Sequence, residues 1–453
     1  QQLTTNNQQL KITSLDLPSK DVNETLQGHE PEIFNDLLKN RKQLIFSSEP
    51  LKTNNDKPLT VNQTHQPNNP TDFLLQTNVL KNLNVLIGKA GIVGEENSRL
   101  LLFLIIISYQ NKSPIHAIVQ GSSGSGKTLI ISRIADLMPQ EDVLRFTRIT
   151  ESSLYNWGEF DLFRKIIIIE DLDGLKEEAL YALRELISNQ FLSSSVSIKD
   201  KKGNNKSARK EVKGQFSSLS ATTKGETYED NMSRSFLIAV DESKAQTTRI
   251  IDYQNQRSAG LINPLAQEKA VGFIQQIVRH LKYYEVINPF ATQLQLPEKV
   301  HKIRRLNEMY QAVIKQVTFL NQYQREQTKD GKLLTTIDDI EQATHILFES
   351  IILKVDELDG SLRQFFEKLK KYVKGKDNEF TQREVRQDLG VSKSQLQRYI
   401  NSLLELEYIK QKGGYANKGI KYSIDYWDNY QKIRTEIKDY LMRQIEHLRQ
   451  EQK

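Results

Sequence analysis

The sequence predicts an α/β fold built on a parallel sheet, followed by a helical region and a small α+β module. Three observations carry this. Ile166, Ile167, Ile168 and Ile169 are consecutive β-branched residues, which suits a strand buried on both faces. Ile115-His116-Ala117-Ile118-Val119 makes a second apolar run. A helical pattern, Thr128-Leu129-Ile130-Ile131-Ser132-Arg133-Ile134-Ala135, follows it across a turn rich in glycine and serine.

That turn reads Gly121-Ser122-Ser123-Gly124-Ser125-Gly126-Lys127-Thr128. Between a strand and a helix, this spacing is a complete phosphate-binding loop. Small residues let backbone N–H groups wrap crowded anionic oxygens, and the helix behind points its positive end at them. These residues are expected to cradle ATP. Lys127 is expected to reach the β- and γ-phosphates, and the Thr128 hydroxyl to ligate Mg²⁺. The bland alternative is a flexible linker, which does not require Lys-Thr at this offset.

The isoleucine strand ends in Glu170-Asp171-Leu172-Asp173. In a parallel sheet, acids at that end lie beside the phosphate loop. One acid can hold the metal and the next can orient the attacking water. Glu170 is assigned to the metal and Asp171 to water activation, with the roles open to exchange.

Composition narrows the class. A chain of 453 residues can hold two or three domains. The absence of cysteine excludes disulfides and cysteine-based zinc sites and suits a cytoplasmic location. Net charge +6 and a pI near 9.0 fit an anionic partner. With 63 basic against 57 acidic residues, the placement of charge matters more than the total. The longest apolar run, residues 100–107, is too short to span a bilayer, so no membrane role is expected. No signal peptide is visible, and the first residue, Gln1, suggests a fragment or processed product. The histidines lack metal-ligand spacing, no Gly-x-Ser-x-Gly elbow occurs, and His116 is expected to pack in a core.

After a helix over 177–189, residues 192–198 and 210–213 are expected to pair as a hairpin with its tip over 199–210 and Gly203-Asn204 as turn chemistry. Seven of the fifteen residues 199–213 are basic and two acidic. Lys199, Lys201, Lys202, Lys206, Arg209 and Lys210 are therefore candidate DNA-backbone contacts, the alternative being a lysine-solvated hairpin. Residues 216–223 read as a strand ending in hydroxyls, where Thr222, with Thr223 close behind, can touch the γ-phosphate or its attacking water. Arg234 can serve as an arginine finger toward a neighbouring subunit.

Residues 361–426 read as a winged helix. Leu362, Phe365, Phe366 and Leu369 mark one helix, Phe380-Thr381 opens the next, and Gly390-Val391-Ser392 is the turn. The third helix buries Leu396, Tyr399, Ile400, Leu403 and Leu404, leaving Lys393, Gln395, Gln397 and Arg398 on or near the open side to read a DNA groove. Runs at 408–412 and 420–424 supply the wing. Such modules also bind proteins.

This order of parts resembles the AAA+ ATPases whose hairpin precedes the sensor-1 strand, especially MCM-type replicative helicases. Ile303-Arg304-Arg305-Leu306-Asn307, followed by Thr336-Ile337-Asp338-Asp339-Ile340-Glu341-Gln342-Ala343, looks like that group's sensor-2 arginine and last lid helix. The resemblance implies that Arg304, or else Arg305, contacts ATP held by an adjacent subunit. It thereby implies a ring, expected as a hexamer. The Glu-Asp order at 170–171 departs from the usual Asp-Glu. Residues 15–24 resemble the closing segment of a primase Toprim domain, whose acidic metal-binding motifs this sequence lacks. The combination resembles the C-terminal half of primase–helicase proteins from mobile genetic elements.

The expected fold is thus an α/β P-loop AAA+ core with a helical lid, plus a C-terminal winged helix. The expected divisions are a Toprim-like end (1–47), a linker (48–71), the ATPase core with preceding helices (72–263), the lid (264–358), the winged helix (361–426) and a charged helical tail (427–453). The expected activity is ATP-driven DNA unwinding or translocation by a homo-oligomeric ring with Mg²⁺, for replication of a mobile element. Two alternatives are a non-motor ATP switch, and a DNA-binding protein with a vestigial ATPase.

Overall fold

The computed structural model describes residues 69–199, 205–224, 234–298, 303–353, 356, 358, 360–375, 378–415 and 419–452, with two short strands before them. The chain divides into two units, residues 1–65 and 66–453. In the first, β1 (Thr13–Ser14) pairs antiparallel with β2 (Lys42–Gln43). The Toprim-like segment, residues 15–24, lies outside the described residues.

The second unit begins with α1 (Pro70–Leu74), α2 (Val79–Lys89) and α3 (Glu96–Ile107). The apolar run that is too short for a membrane is the body of α3, and Leu100 to Ile107 are all buried. Among the described residues, no helix is long and apolar enough to cross a membrane.

The sheet follows: β3 (His116–Gln120), α4 (Lys127–Asp136), β4 (Val143–Phe146), α5 (Glu151–Tyr155), β5 (Lys165–Ile169), α6 (Glu177–Asn189), then the hairpin β6 (Phe191–Lys199) and β7 (Asn205–Lys213), then β8 (Phe216–Thr222) and β9 (Ser235–Ala239). Five strands lie in the order β4-β5-β8-β3-β9, and all pairings are parallel. The isoleucine run explains itself here. Ile166 and Ile168 join the core shared with α3 and α4, while Ile167 and Ile169 join the opposite core under α6. Both faces are covered, so the strand carries no polar alternation. The edge strand β4 and strand β9 were not named from the sequence.

The hairpin is a separate two-stranded sheet whose ladder runs from Phe191 opposite Lys213 to Lys199 opposite Asn205. The strands are longer than the sequence suggested. Lys199, Lys206, Arg209 and Lys210 lie on strands and not in a broad tip, because backbone pairing continues through residues whose side chains give no β pattern. Lys201 and Lys202 lie outside the described residues.

Next come α7 (Lys244–Ser258), α8 (Pro264–His280), β10 (Val286–Ile287), α9 (Ile303–Leu320), β11 (Leu333–Leu334) and α10 (Ile337–Leu353). The expected long helical region is thus interrupted by a parallel two-strand pairing of β10 with β11. Thr336 and Asp339 cap α10 reciprocally, and Arg325 clamps the same buried carboxylate through two hydrogen bonds at 2.7 and 2.6 Å.

The C-terminal module holds α11 (Gly360–Val373), β12 (Glu379–Thr381), α12 (Gln382–Leu389), α13 (Lys393–Glu405), β13 (Ile409–Tyr415) and β14 (Gly419–Ile424), with strand order β12-β14-β13. Its own core includes Phe365, Phe366, Val385, Leu396, Ile400 and Leu403. The last helix, α14 (Tyr430–Glu451), returns to α10. It buries Ile437, Leu441, Ile445 and Leu448 in the main core and pairs Arg449 with Asp338 at 2.9 Å.

Candidate active site

The loop after β3 is shaped by close approach. A Cβ on Gly121 would lie 2.5 Å from Val240 Cγ2 and 2.6 Å from Ser125 Oγ, so a larger residue displaces the loop. Gly126 caps α4 at φ 94°, a left-handed conformation that glycine adopts without penalty. The helix then starts at Lys127, so its first N–H groups and positive end face the loop. Ser123, Gly124 and Thr128 are exposed there, while Lys127 is buried. Ser125 Oγ is buried without a hydrogen-bond partner among the described residues.

Lys127 Nζ donates to the Ser122 carbonyl at 2.5 Å. Burial pulls its pKa below the ordinary lysine value, and Glu242, Asp173 and Asp171 oppose that pull. A buried ammonium facing carboxylates, at the start of a helix, is a site that a bound phosphate would stabilise further.

Strand register sets the opposite wall. Gln120 pairs with Thr222, and the Gly121 N–H points to the Thr222 carbonyl at 3.4 Å. Thr222 therefore borders the phosphate loop. Ile169 ends β5 beside Ser220, which sets Glu170 and Asp171 at the same edge. Thr128 Oγ1 lies 3.5 Å from the Glu170 carbonyl oxygen. The Thr128 hydroxyl and Glu170, half-buried, fit a hard cation that prefers oxygen ligands. Asp171 is exposed, and its carboxylate accepts the Asp173 N–H at 3.1 Å.

Two residues were missed by sequence reasoning. The Asp173 carboxylate accepts from Thr222 Oγ1, Thr223 N–H and Thr223 Oγ1, each at 2.7 Å, and so locks the hydroxyl end of β8. Its signal was a third acid at the end of the isoleucine strand. The Glu242 carboxylate accepts the Ser122 N–H at 2.6 Å and the Ser122 hydroxyl at 2.8 Å. Nothing in the local sequence marks Glu242, because it meets Ser122 only when β9 lies beside β3.

The C-terminal module touches both features. Gln364 on α11 donates to the Val240 carbonyl at 3.2 Å and accepts the Glu242 N–H at 3.3 Å. Arg398 on α13, expected in a DNA groove, donates to the Thr223 carbonyl at 3.2 Å. Lys393 and Gln397 are exposed on the same helix, and Gln397 bonds Asn401 at 2.9 Å.

The other predicted residues lie elsewhere. Arg234 immediately precedes β9 and is exposed. His116, at the start of β3, pairs with Ser235, so Arg234 stands at the end of the sheet away from the loop. Five residues of strand put it ~16 Å from its own phosphate loop. Arg304 and Arg305 are exposed on the first turn of α9, with no contact to the loop among the described residues. Arg209 pairs with Glu211 at 2.7 Å, and Lys210 Nζ donates to Asn156 Oδ1 at 2.5 Å. No cluster of His, Cys, Asp or Glu arranged for a metal occurs among the described residues.

Parallel sheet, phosphate loop and facing acids define a P-loop NTPase domain. Comparison with known proteins agrees: the family model described as the MTBMA_p00010 P-loop domain matches residues 66–283. The protein MTBMA_p00010 of Methanothermobacter marburgensis, named as uncharacterized, is 22% identical over 387 residues, which cover 76% of this chain and 45% of that relative. The chain thus spans less than half the length of the curated relative it matches. Among solved structures, a full-length MCM homolog from Methanopyrus kandleri aligns over 70% of this chain and 65% of its own, with a TM-score of 0.40 and 12% identity.

Proposed function

We propose that this chain is the motor portion of a ring-forming, MCM-like DNA helicase or translocase driven by ATP hydrolysis. The observation that carries it is the split between the two ends of the sheet. Lys127, Thr128, Glu170, Asp171 and Thr222 converge at one end, and Arg234 stands at the other. An arginine so placed serves a neighbour's triphosphate, as ring ATPases require.

In this reading the loop N–H groups and Lys127 orient the triphosphate, and Thr128 with Glu170 would hold Mg²⁺, which supplies charge neutralisation. Asp171 takes the proton of the attacking water, and Thr222, held by Asp173, positions that water. Arg234, and Arg304 of the lid, would add positive charge from next door. The hairpin lysines would grip one strand inside the ring. The C-terminal module is read as a winged helix, and replication of a mobile element as the setting.

Mixing Lys127→Ala with Arg234→Ala tests the shared site. Each variant alone is expected to lose ATP hydrolysis, and the mixture to regain part of it through interfaces that pair two intact halves. A mixture as inactive as its parts overturns the trans arrangement.

A second reading, an ATP switch without motor activity, draws support from the Arg398 contact with Thr223, which ties the module to the nucleotide site. ATP-dependent displacement of a strand from a forked duplex supports the motor. ATP turnover stimulated by DNA with no displacement supports the switch.

A further inference from the structure

We propose that Phe160 and Phe163 form a base-stacking platform for single-stranded nucleic acid at the root of the basic hairpin. The inference rests on the DNA-motor reading and supplies it with a contact that recognises bases, where the lysines recognise phosphates.

The loop between α5 and β5 exposes two phenylalanines that a folding chain would ordinarily bury. Phe160 is 57% exposed and Phe163 37%. Their rings meet edge to face, with centroids 6.1 Å apart at 83°. Cations attend both: Lys213 Nζ lies 4.5 Å from the Phe160 centroid and the Arg164 guanidinium 5.5 Å from that of Phe163. Aromatic faces beside cations are what stacks successive bases while tracking a backbone.

The loop is held for that purpose. Trp157 packs edge-on against Phe146 at 5.7 Å and anchors its start. The Lys213 N–H donates to the Glu159 carbonyl at 2.8 Å, and the Arg164 N–H to the Gln215 carbonyl at 2.7 Å. These bonds fasten the loop to the strand that carries the hairpin, so the rings move with it. Arg164 sits at φ 54°, a left-handed backbone that side-chain-bearing residues rarely adopt.

Charge selects the occupant. The local acids are already engaged: Glu159 pairs with Lys213 at 2.7 Å, Glu211 with Arg209 at 2.7 Å, and Asp161 accepts the Gly158 N–H at 2.7 Å. The strand beyond them belongs to a segment with seven basic and two acidic residues in 199–213. An apolar platform continuous with a positive hairpin fits a polyanion with flat apolar faces, and a nucleic-acid strand with unpaired bases has both.

The test measures binding of the full chain to fluorescent oligo(dT) and to an abasic oligonucleotide of equal length, across a salt series. Phe160→Ala and Phe163→Ala are each expected to weaken oligo(dT) binding about tenfold, with an unchanged salt slope. Abasic binding is expected to stay as in the wild type. Lys213→Ala is expected instead to lower the salt slope by about one unit on both probes. Phe160→Tyr, which keeps the ring, should retain wild-type affinity, and thermal melts verify folding. Equal loss on both probes, or no loss on either, overturns the platform while leaving the DNA reading standing. A change in oligomeric state with no change in oligo(dT) affinity makes the rings a subunit seam and likewise overturns it. Failure of the wild type to bind either probe sinks both readings.

Discussion

Asp173 shows how a residue outside the obvious motif can set the geometry of the site. It accepts three hydrogen bonds from Thr222 and Thr223, and a neutral amide cannot replace them all. Asp173→Asn is expected to lower the ATP turnover number by about 10²-fold through misplacement of Thr222, with nucleotide affinity nearly unchanged. Steady-state hydrolysis beside equilibrium binding of a fluorescent ATP analogue separates the two effects. His116 gives a pH prediction. Burial depresses its pKa from 6.5 to about 3, and its Nδ1 lies 2.9 Å from Ser218 Oγ. Between those values the unfolded chain binds more protons than the folded one, so stability falls as pH drops. The contribution is complete above pH 6.5 and is lost toward pH 3, by up to about 1.4 kcal/mol for each pH unit. His116→Gln should flatten that part of the curve in denaturant titrations. At this scale the phosphate loop was legible because its chemistry is contiguous. Glu242 was not, because 120 residues separate it from Ser122.

At the scale of elements, legibility followed burial. The isoleucine strand and α3 announce themselves through unbroken apolar runs, since both are enclosed. Strand β4 is a short sheet edge, half-buried at most positions, and leaves little pattern to read. The hairpin was found through its turn chemistry and charge, but its length was not, because a run of serines and lysines carries no apolar alternation to read. One joint between elements is held by charge. Arg363 on α11 is almost fully buried between Asp356 and Asp428, with Nε 2.6 Å from Asp356 Oδ2. Removing the cation leaves the buried Asp356 carboxylate without its counter-ion, while Asp428 keeps only Lys370 at 2.8 Å. Arg363→Ala is therefore expected to destabilise the fold by about 3–5 kcal/mol, as read from the denaturation midpoint. An unchanged midpoint would show that water repairs the site.

For the whole molecule, the sequence divided the chain into a core, a helical region, a C-terminal module and a tail. The charged end is no free extension, because α14 buries its apolar stripe against α10 in the main core. Its amphipathic spacing was visible, but its target was not, since the surface it covers lies about a hundred residues upstream. Removal of α14 is expected to expose that apolar stripe on α10, and dye binding to apolar surface should rise accordingly.

The chain of contacts from Gln364 through Glu242 to Ser122 gives the molecule a lever. Glu242, whose carboxylate holds Ser122 of the phosphate loop, has its backbone N–H held by Gln364 of the C-terminal module. A ligand on that module that shifts Gln364 would change the tightness with which nucleotide is held, and nucleotide affinity would then be a gauge of it. Titrating a fluorescent ATP analogue with and without duplex DNA reads that gauge. The wild type is expected to respond, and Gln364→Ala to report the same affinity in both conditions.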